Sequence, residues 1–277
     1  MSSDPASRPA PDPAPDTTPA STAPTPRGSV VVTGASSGIG RATAERLAAE
    51  GWNVLAVARR AERLEALAEA TGVRTQVVDV TEDASVQALA RRVEEEFDGR
   101  LTALVNIAGG ALGVDPVESS DLDQWQTMYA TNVLGTARVT QVLLPALRAD
   151  GHASIVVLSS TAAQAAYEGG VGYNAAKAGE HMIAAGLRLE LNGEPIRVIE
   201  VAPGMVHTPE FSLVRLGGDQ EAADRVYDGV EHPLTAEDCA DVITYALQVP
   251  HHVNLDLITV RPLAQAAQHK VARGAGL

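Results

Sequence analysis

Residues 29–41 read SVVVTGASSGIGR, and this stretch decides the fold. The three valines at 30–32 form a run too apolar for a half-exposed strand, so a buried strand is expected. It leads directly into a turn that contains Gly34, Gly38 and Gly40. Beyond the glycines, apolar residues recur at helical spacing, so the pattern predicts a strand, a tight turn and a helix.

The glycine turn is also the first candidate binding site. A strand that enters a helix through glycines directs backbone N–H groups and the positive end of the helix dipole at one point, which suits a phosphate or pyrophosphate. Glycine is needed where φ is positive or where a side chain would block the ligand. The spacing is Gly-x-x-x-Gly-x-Gly, not Gly-x-Gly-x-x-Gly, so a tight turn that binds nothing is the alternative interpretation.

Composition divides the chain into a tail and a body. Residues 1–28 contain eight of the 16 prolines and no large apolar residue after Met1, so this tail is predicted to be disordered and not to be a signal peptide. Residues 29–262 have the length of one α/β domain. Residues 263–277 are interpreted as a C-terminal extension.

Charge and cysteine content exclude several classes of protein. The net charge of −14 lies almost wholly in the body and argues against a nucleic-acid surface, which needs a basic stripe. No apolar run reaches the length of a membrane span. The single cysteine, Cys239, is interpreted as a small buried apolar residue, and one cysteine fits a reducing cytoplasm. The seven histidines show no metal-ligand spacing, so no metal site is predicted.

Strand and helix patterns alternate along the body. Each predicted strand is a continuous apolar run, which is typical of a parallel sheet covered by helices on both faces. Right-handed crossovers then predict a single doubly wound Rossmann domain with a mainly parallel sheet of about seven strands. The predicted strands after the first are residues 53–58, 75–80, 101–107, 154–158, 197–201 and 255–260, and the longer helices are 62–70, 82–97, 122–147, 171–191 and 236–247.

The residues after the second strand indicate which dinucleotide binds. Domains that prefer NAD usually place an acid there, about 20 residues beyond the glycines, to bind the ribose hydroxyls. This chain has Arg59 instead, whose guanidinium fits a 2′-phosphate, so NADP is favoured over NAD. Arg60 is a second candidate for the phosphate, although Arg60 and Arg63 also fit solvated charges at a helix start. The alternative for Arg59 is simple exposure.

Tyr173 and Lys177 indicate the chemistry. They stand four residues apart in YNAAK and share one face of the second long helix. A nearby ammonium favours the phenolate, so the pKa of Tyr173 is expected to lie below its ordinary value of about 10. Ser160 ends the fifth strand, where its hydroxyl is able to hold a substrate oxygen. The three residues together predict a proton donor for a carbonyl.

The motifs in combination are more specific than any one of them. TGASSGIG, Asp79, VNIAG, Asn132 in ATNVLGT, LSS, YNAAK and PGMVHT occur in one order, and the chain resembles the short-chain dehydrogenase/reductase family over residues 29–262. The resemblance implies that Ser160, Tyr173 and Lys177 are catalytic and that Asn132 holds a water that relays the proton. It also implies that Lys177 bonds the nicotinamide ribose.

The same resemblance implies a cofactor site. It assigns the glycine turn to the pyrophosphate and the adenosine ribose, Asp79 and Val80 to the adenine, the segment after the fourth strand to a wall beside the cofactor, and the PGMVHT segment to the carboxamide. Ile107 departs from the family, which usually has Asn there, so a local hydrogen bond is expected to be lost. With Arg59 and Arg60, the predicted cofactor-binding residues are Gly34, Ser36, Ser37, Gly38, Ile39, Gly40, Asp79, Val80, Asn106, Ala108, Gly109, Tyr173, Lys177, Pro203, Gly204, Val206 and Thr208.

Residues 210–230 are predicted to form a lid over the substrate. PEFSLVRLGGDQ in this segment and the later HVNLDLITVRPLAQ resemble the family branch of NADP-dependent 3-hydroxy acid (serine-type) dehydrogenases. Arg215 is a candidate clamp for a substrate carboxylate. An exposed salt bridge is the alternative role for Arg215.

These observations predict an NADP(H)-dependent oxidoreductase that interconverts an alcohol and a carbonyl of a small molecule, with Tyr173 as general acid/base. A catalytically silent dinucleotide-binding redox sensor or regulator is one alternative, and a lyase or epimerase is another. Small side chains on the second long helix fit close packing against another subunit, so a homotetramer or dimer in the cytoplasm is expected. Neither a nucleic acid nor a membrane is a predicted partner.

Overall fold

The computed structural model describes residues 27–274. Apart from Arg27 and Gly28, the predicted disordered tail lies outside the described residues, and so do residues 275–277 of the predicted extension. No helix in the described part of the chain is long and apolar enough to cross a membrane.

Seven parallel strands form the central sheet, in the order β3-β2-β1-β4-β5-β6-β7. The predicted doubly wound parallel sheet is therefore confirmed. The order reverses between β1 and β4, and in such sheets ligands bind at the carboxyl ends of the strands on either side of this point. The strands are β1 Ser29–Thr33, β2 Asn53–Ala58, β3 Arg74–Val77, β4 Ala103–Asn106, β5 Ala153–Leu158, β6 Ile196–Pro203 and β7 Leu257–Val260, and a small antiparallel pair follows, β8 Gln265–Ala267 and β9 Lys270–Val271.

Helices cover both faces of the sheet. They are α1 Gly38–Ala49, α2 Ala61–Thr71, α3 Asp83–Phe97, α4 Leu122–Met128, α5 Gly135–Asp150, α6 Val171–Glu190, α7 Phe211–Arg215, α8 Gln220–Arg225 and α9 Ala236–Gln248. A π-helical turn, Tyr129–Leu134, joins α4 to α5. The single long helix predicted at 122–147 is thus interrupted at the turn that contains Asn132, and such π turns are frequent at functional sites.

Two apolar layers explain the continuous hydrophobic runs. Val31 faces the layer that contains α3 and α5 residues, whereas Val30 and Val32 face the layer with residues of α1, α2 and α9. All three valines have no exposed surface. Because successive side chains of a strand point to opposite faces, a strand covered on both sides has no polar alternation.

The third strand ends earlier than predicted. The strand expected at 75–80 leaves the sheet after Val77, so Asp79 lies in the following loop. The Asp79 Oδ1 atom accepts hydrogen bonds from the Thr81 backbone N–H at 2.9 Å and from the Thr81 hydroxyl at 2.7 Å. Such Asx turns compete with strand continuation, and this one fixes the Asp79 carboxylate at the sheet edge.

Candidate active site

The glycine turn after β1 has the conformation that its sequence predicts. Gly34 and Gly38 have positive φ values of 69° and 50°. A Cβ atom on Gly40 would lie 2.3 Å from the Gly34 carbonyl oxygen, so only glycine permits this close approach. Ser37 occupies the N-cap of α1 without a capping hydrogen bond from its side chain. The first-turn N–H groups of α1 are therefore suited to bind an anion.

A cavity of about 380 Å³ begins at this turn and extends to α6 and the segment after β6. It brings together nearly all the predicted site residues, although they are dispersed over 175 positions of the chain. Of the predicted catalytic and cofactor-binding residues, it is lined by Gly34, Ser36, Ser37, Gly38, Ile39, Gly40, Arg59, Arg60, Asp79, Val80, Ala108, Gly109, Ser160, Tyr173, Lys177, Pro203, Gly204, Val206 and Thr208.

Two predicted asparagines lie behind the cavity wall. The Asn106 side chain is buried and donates to the Thr140 hydroxyl on α5 at 3.1 Å, so the structure does not bring it to the cofactor wall. Asn132 is fully buried. Its Nδ2 donates to the Gly110 carbonyl and its Oδ1 accepts from the Gly110 N–H, each at 2.9 Å. The Asn132 side chain therefore positions the loop after β4, and its predicted water-holding role stays a prediction.

The replacement at Ile107 leaves the loop backbone well bonded. The N–H groups of Ile107 and Ala108 both donate to the Thr33 hydroxyl, at 2.9 and 3.0 Å. The Ile107 side chain packs against the apolar layer that contains α1. The expected local loss is thus offset in part by a hydroxyl from the neighbouring strand and by apolar packing.

The arginines after β2 form more hydrogen bonds and ion pairs than the sequence predicts. Arg60 donates to the hydroxyls of Ser36 and Ser37 and to the carboxylate of Glu210, and Arg63 also pairs with Glu210. Arg60 and Arg63 thus lie at a helix start with about half of each side chain exposed, as the interpretation as solvated charges expects, but both also form ion pairs with Glu210. Nothing local identified Glu210 as their partner, because it follows Arg60 by 150 residues.

Asp79 is an ionised acid on the adjacent rim of the cavity. Burial favours its neutral form, but the hydrogen bonds from Thr81 and the charges of Arg59 and Arg138 together outweigh this, and the pKa of Asp79 lies below its ordinary value. Arg59 also lowers the pKa of Asp79 through its positive charge. Arg59 and Asp79 therefore place opposite charges at this end of the cavity.

Ser160, Tyr173 and Lys177 converge at the other end of the cavity. All three side chains are buried. The Lys177 Nζ atom donates to the Leu158 carbonyl at 2.9 Å and lies 5.9 Å from the centre of the Tyr173 ring. The Ser160 hydroxyl accepts from the Ala162 N–H at 3.1 Å and donates to the Pro203 carbonyl at 3.3 Å. Ser160, which follows β5, and Tyr173 and Lys177, which share one face of α6, thus place their polar groups at the same end of the cavity.

The pKa of the Tyr173 phenol lies above its ordinary value. Burial of the ring is the largest cause, and it outweighs the lowering by Lys177 and by a hydrogen bond with Ser160. The negative charge of Glu180 raises the pKa of Tyr173 further. The predicted lowering is therefore wrong for this structure, because burial of the ring and the charge of Glu180 raise the pKa of Tyr173 by more than the Lys177 ammonium and the Ser160 hydrogen bond lower it.

Glu180 is an ionisable residue of the site that sequence reasoning missed. Its Oε2 atom forms an ion pair with the Lys177 Nζ atom at 2.7 Å, and both side chains are almost fully buried. Burial raises the pKa of Glu180 to about 7, although Lys177 opposes this shift. The pKa of Lys177 is lowered by burial, but the charges of Glu180 and Tyr173 raise it above its ordinary value. The available signal was the spacing, because an acid three residues after Lys177 shares its helix face.

The predicted lid segment packs directly on the tyrosine. The Phe211 ring, in the first turn of α7, meets the Tyr173 ring edge-on at 5.8 Å between centroids. The Arg215 guanidinium carbon lies 5.4 Å from the ring centres of both Tyr167 and Tyr173, and its Nε donates to the Gly113 carbonyl at 3.2 Å. The Arg215 guanidinium therefore lies close to both the Tyr167 and the Tyr173 rings.

Two further residues that the sequence did not single out fasten the segment after β6. Tyr227 donates from its hydroxyl to the Val206 carbonyl at 2.9 Å, and Ser212 in α7 donates to the same Tyr227 oxygen at 2.8 Å. Gln265 in β8 accepts the Met205 N–H through its Oε1 atom at 2.8 Å. The wall and the lid of the cavity are thus held by residues that follow them in the chain.

Cys239 has no place in this site. It is fully buried in α9, and burial, assisted by Asp238 and Glu237, raises the pKa of its thiol to about 12. This environment suits the predicted small apolar role, because a reactive cysteine needs a thiolate. Within residues 27–274, no three side chains of His, Cys, Asp or Glu converge in an arrangement that would hold a metal ion.

The chain is similar in sequence to a known family and to individual proteins. The short chain dehydrogenase family model matches residues 29–215. Sulfoacetaldehyde reductase 2 of Chromohalobacter salexigens is 45% identical over 242 residues, which are 86% of this chain and 95% of that protein. Serine 3-dehydrogenase of Agrobacterium fabrum is 43% identical over the same shares of both chains.

A solved structure is similar over the same region. The closed form of serine dehydrogenase complexed with NADP+ superposes with a TM-score of 0.83 at 33% identity, covering 90% of this chain and 98% of that one. The similarity therefore includes the segment after β6 and α7 as well as the nucleotide-binding half.

Proposed function

The chain belongs to the short chain dehydrogenase family, and from this premise we propose that it is an NADP(H)-dependent oxidoreductase that interconverts an alcohol and a carbonyl. The observation that carries the proposal is the convergence of Ser160, Tyr173 and Lys177 with the glycine turn on one cavity. The glycine turn would bind the phosphates of a nucleotide. The three polar side chains would catalyse a reaction beside that nucleotide.

The residues of the cavity fit NADP(H). The uncapped start of α1 and the close approach at Gly40 suit a pyrophosphate, and Arg59 and Arg60 with the Ser36 and Ser37 hydroxyls suit a 2′-phosphate. When bound, the cofactor would supply or accept a hydride. The adenine is assigned to Asp79 and Val80, the wall to Ile107, Ala108 and Gly109, and the carboxamide to the segment that contains Pro203, Gly204, Val206 and Thr208.

Tyr173 is proposed as the general acid/base. Burial keeps the pKa of Tyr173 above its ordinary value, so the phenol retains its proton at neutral pH and is ready to donate it to a carbonyl oxygen. Ser160 would hold that oxygen by a hydrogen bond, and the Lys177 ammonium would stabilise the phenolate left behind. Reduction is therefore favoured near neutral pH, and oxidation of the alcohol gains as the pH rises, because it needs the phenolate.

Turnover by the Tyr173→Phe variant tests this assignment. Phe retains the ring but cannot transfer a proton, so the rate of NADPH-dependent carbonyl reduction should fall by about a hundredfold or more. The control is Tyr245→Phe, since the Tyr245 ring is 65% exposed on α9, away from the cavity. Wild-type rates in the Tyr173→Phe variant would contradict the mechanism, and a preference for NADH would contradict the role of the arginines.

The substrate is proposed to be a small anionic carbonyl or hydroxy acid. Arg215 does not line the cavity itself, but its guanidinium carbon lies 5.4 Å from the Tyr173 ring centre, so it would bind an anionic group of the substrate while Tyr173 acts on the oxygen. Serine and sulfoacetaldehyde, which name the activities of two relatives, each carry an acidic group. The carboxylate clamp, for which Arg215 is a candidate in the sequence, is thus the proposed role of Arg215.

Arg215→Ala should separate anionic from neutral substrates. A charge-assisted hydrogen bond is worth about 1.5–3 kcal/mol, so KM for a small anionic carbonyl should rise by roughly tenfold to a hundredfold. KM for a neutral carbonyl of similar size should stay within about twofold. Equal increases for both substrates would instead show that Arg215 supports the Tyr167 and Tyr173 rings and does not bind the anion.

A silent dinucleotide-binding regulator is not favoured, because such a protein does not need the three catalytic side chains. A lyase or epimerase would differ in that the cofactor cycles without net consumption. Assembly as a homo-oligomer and a cytoplasmic location are part of the proposal as well.

A further inference from the structure

Glu210 links the lid to the cations at the end of β2. Its Oε2 atom pairs with Arg60 Nη1 and its Oε1 atom pairs with Arg63 Nη2, both at 2.8 Å. Glu210 directly precedes α7, whose Phe211 contacts Tyr173. Both carboxylate oxygens are thus used to hold the start of the lid against the nucleotide-binding half of the cavity.

The same Arg60 side chain is bonded to the glycine turn. Its Nη2 atom donates to the Ser37 hydroxyl at 2.7 Å and to the Ser36 hydroxyl at 2.9 Å, and its Nε donates to Ser36 at 3.1 Å. Ser36, Ser37 and Arg60 are, together with Arg59, the groups proposed above for the 2′-phosphate. In this structure the Glu210 carboxylate therefore pairs with one of the two cations proposed for the 2′-phosphate, Arg60.

Glu210 is ionised under ordinary conditions. Burial favours its neutral form, but hydrogen bonds from Arg60 and Ser37 and the charges of Arg60 and Arg63 outweigh this, and the pKa of Glu210 lies below its ordinary value. A carboxylate and a phosphate that share one guanidinium repel each other. The two anions therefore compete for Arg60 unless one of them moves away.

We propose that Glu210 is a specificity-determining residue that pairs with Arg60, one of the cations proposed for the 2′-phosphate, and is displaced from Arg60 by the 2′-phosphate of NADP(H). This inference deepens the proposed function and depends on it. NADH has no 2′-phosphate and leaves the Glu210 pairs intact, so only the phosphorylated cofactor meets this competition. Binding of NADP(H), but not of NAD(H), would thereby break a Glu210 ion pair that holds the start of the lid.

Equilibrium binding of the two reduced cofactors to the Glu210→Gln variant tests the inference without any measurement of turnover. Gln keeps the size of the side chain but removes the charge. The dissociation constant for NADPH should fall by about three- to tenfold, because exposed ion pairs are each worth up to roughly a factor of five. The constant for NADH should change by less than about twofold. The binding is followed by the fluorescence of the reduced nicotinamide.

Glu221→Gln is the matched control. Glu221 lies in α8 within the same lid segment, is 86% exposed and pairs with Arg225 in its own helix. This variant should bind both cofactors as the wild type does, which separates the effect of Glu210 from a general change in lid charge.

Four outcomes would overturn the inference. Weaker NADPH binding by Glu210→Gln would show that Glu210 orients Arg60 for the phosphate and does not compete with it, and equal changes for both cofactors would show a purely structural role. Wild-type protein that binds neither cofactor would overturn the proposed function together with the inference. Wild-type protein that binds NADPH with unchanged affinity in Glu210→Gln would overturn the inference alone.

Discussion

At the scale of single residues, Glu180 changes the electrostatics of the proposed active site. Its carboxylate pairs with Lys177 at 2.7 Å, so it partly cancels the positive charge that would stabilise a Tyr173 phenolate. The pKa of Glu180, about 7, means that this cancellation grows as the pH rises through neutrality. Tyr173 therefore responds to a second buried group as well as to the lysine.

Glu180→Gln should change the pH dependence of stability. The pKa of Glu180 is about 7 in the folded protein and near 4.5 when unfolded, so the folded state binds more protons between these values. The unfolding free energy of the wild type is thus lowered by this group as the pH rises from 4.5 to 7. Relative to the wild type, the variant should become more stable over this range, by an amount on the order of 2–3 kcal/mol.

Urea unfolding at pH 5.0 and pH 7.5, at one protein concentration, measures this difference. Glu190→Gln is the control, because it removes the same charge from an exposed residue at the end of the same helix. A stability difference between Glu180→Gln and wild type that is the same at both pH values would contradict the assignment of a raised pKa to Glu180.

At the scale of elements, the π turn and α7 place side chains that a regular helix or an open loop would not. The π turn holds Asn132 where both of its amide atoms bond Gly110, which anchors the loop after β4. The short helix α7 carries Phe211 on one turn and Arg215 on the next, and both face Tyr173. These irregular elements decide the shape of the cavity around the proposed catalytic group.

The outer face of α6 is also informative at this scale. Met182 and Leu189 are 60% and 82% exposed, and Tyr129 and Leu134 of the adjoining π turn are about half exposed. Apolar groups gathered on neighbouring helices are typical of a surface that is covered by another subunit. This face therefore supports the proposed homo-oligomer.

Light scattering of the double variant Met182→Glu, Leu189→Glu tests that assembly. Wild-type protein should have the mass of a dimer or tetramer at micromolar concentration, and the variant should shift towards the monomer because charges would be buried in the interface. Leu263→Glu, which alters an 86% exposed leucine after β7, should leave the mass unchanged. A wild-type mass equal to one chain would contradict the proposal.

At the scale of the whole molecule, the sheet order assembles the site from distant segments. β1 and β4 are neighbours in the sheet, and β5 and β6 follow β4 in the strand order. Because these strands are parallel, the loops that follow them lie at the same edge of the sheet and meet at the cavity. The chain has a net charge of −14, yet Arg59, Arg60 and Arg63 lie together at the nucleotide end. A local cluster of cations therefore suits an anionic cofactor despite the acidity of the chain as a whole.

Much of this architecture was predictable from the sequence by itself. The apolar run at 30–32 predicts a strand buried on both sides, and the glycines after it predict the turn, because both signals come from neighbouring residues. The positions of Tyr173 and Lys177 on one helix face also follow from local spacing. Arg59, the residue that predicts a preference for NADP, lines the cavity.

Only the tertiary structure decided the charges around these groups. Asn106 turns towards Thr140, Glu180 pairs with Lys177 in a buried site, and the pKa of Tyr173 rises where its spacing to the lysine predicts a fall. Glu210 reaches Arg60 across 150 residues of chain. Local patterns determine secondary structure, whereas burial and long-range ion pairs depend on which segments the fold brings together, and these determine protonation at the site.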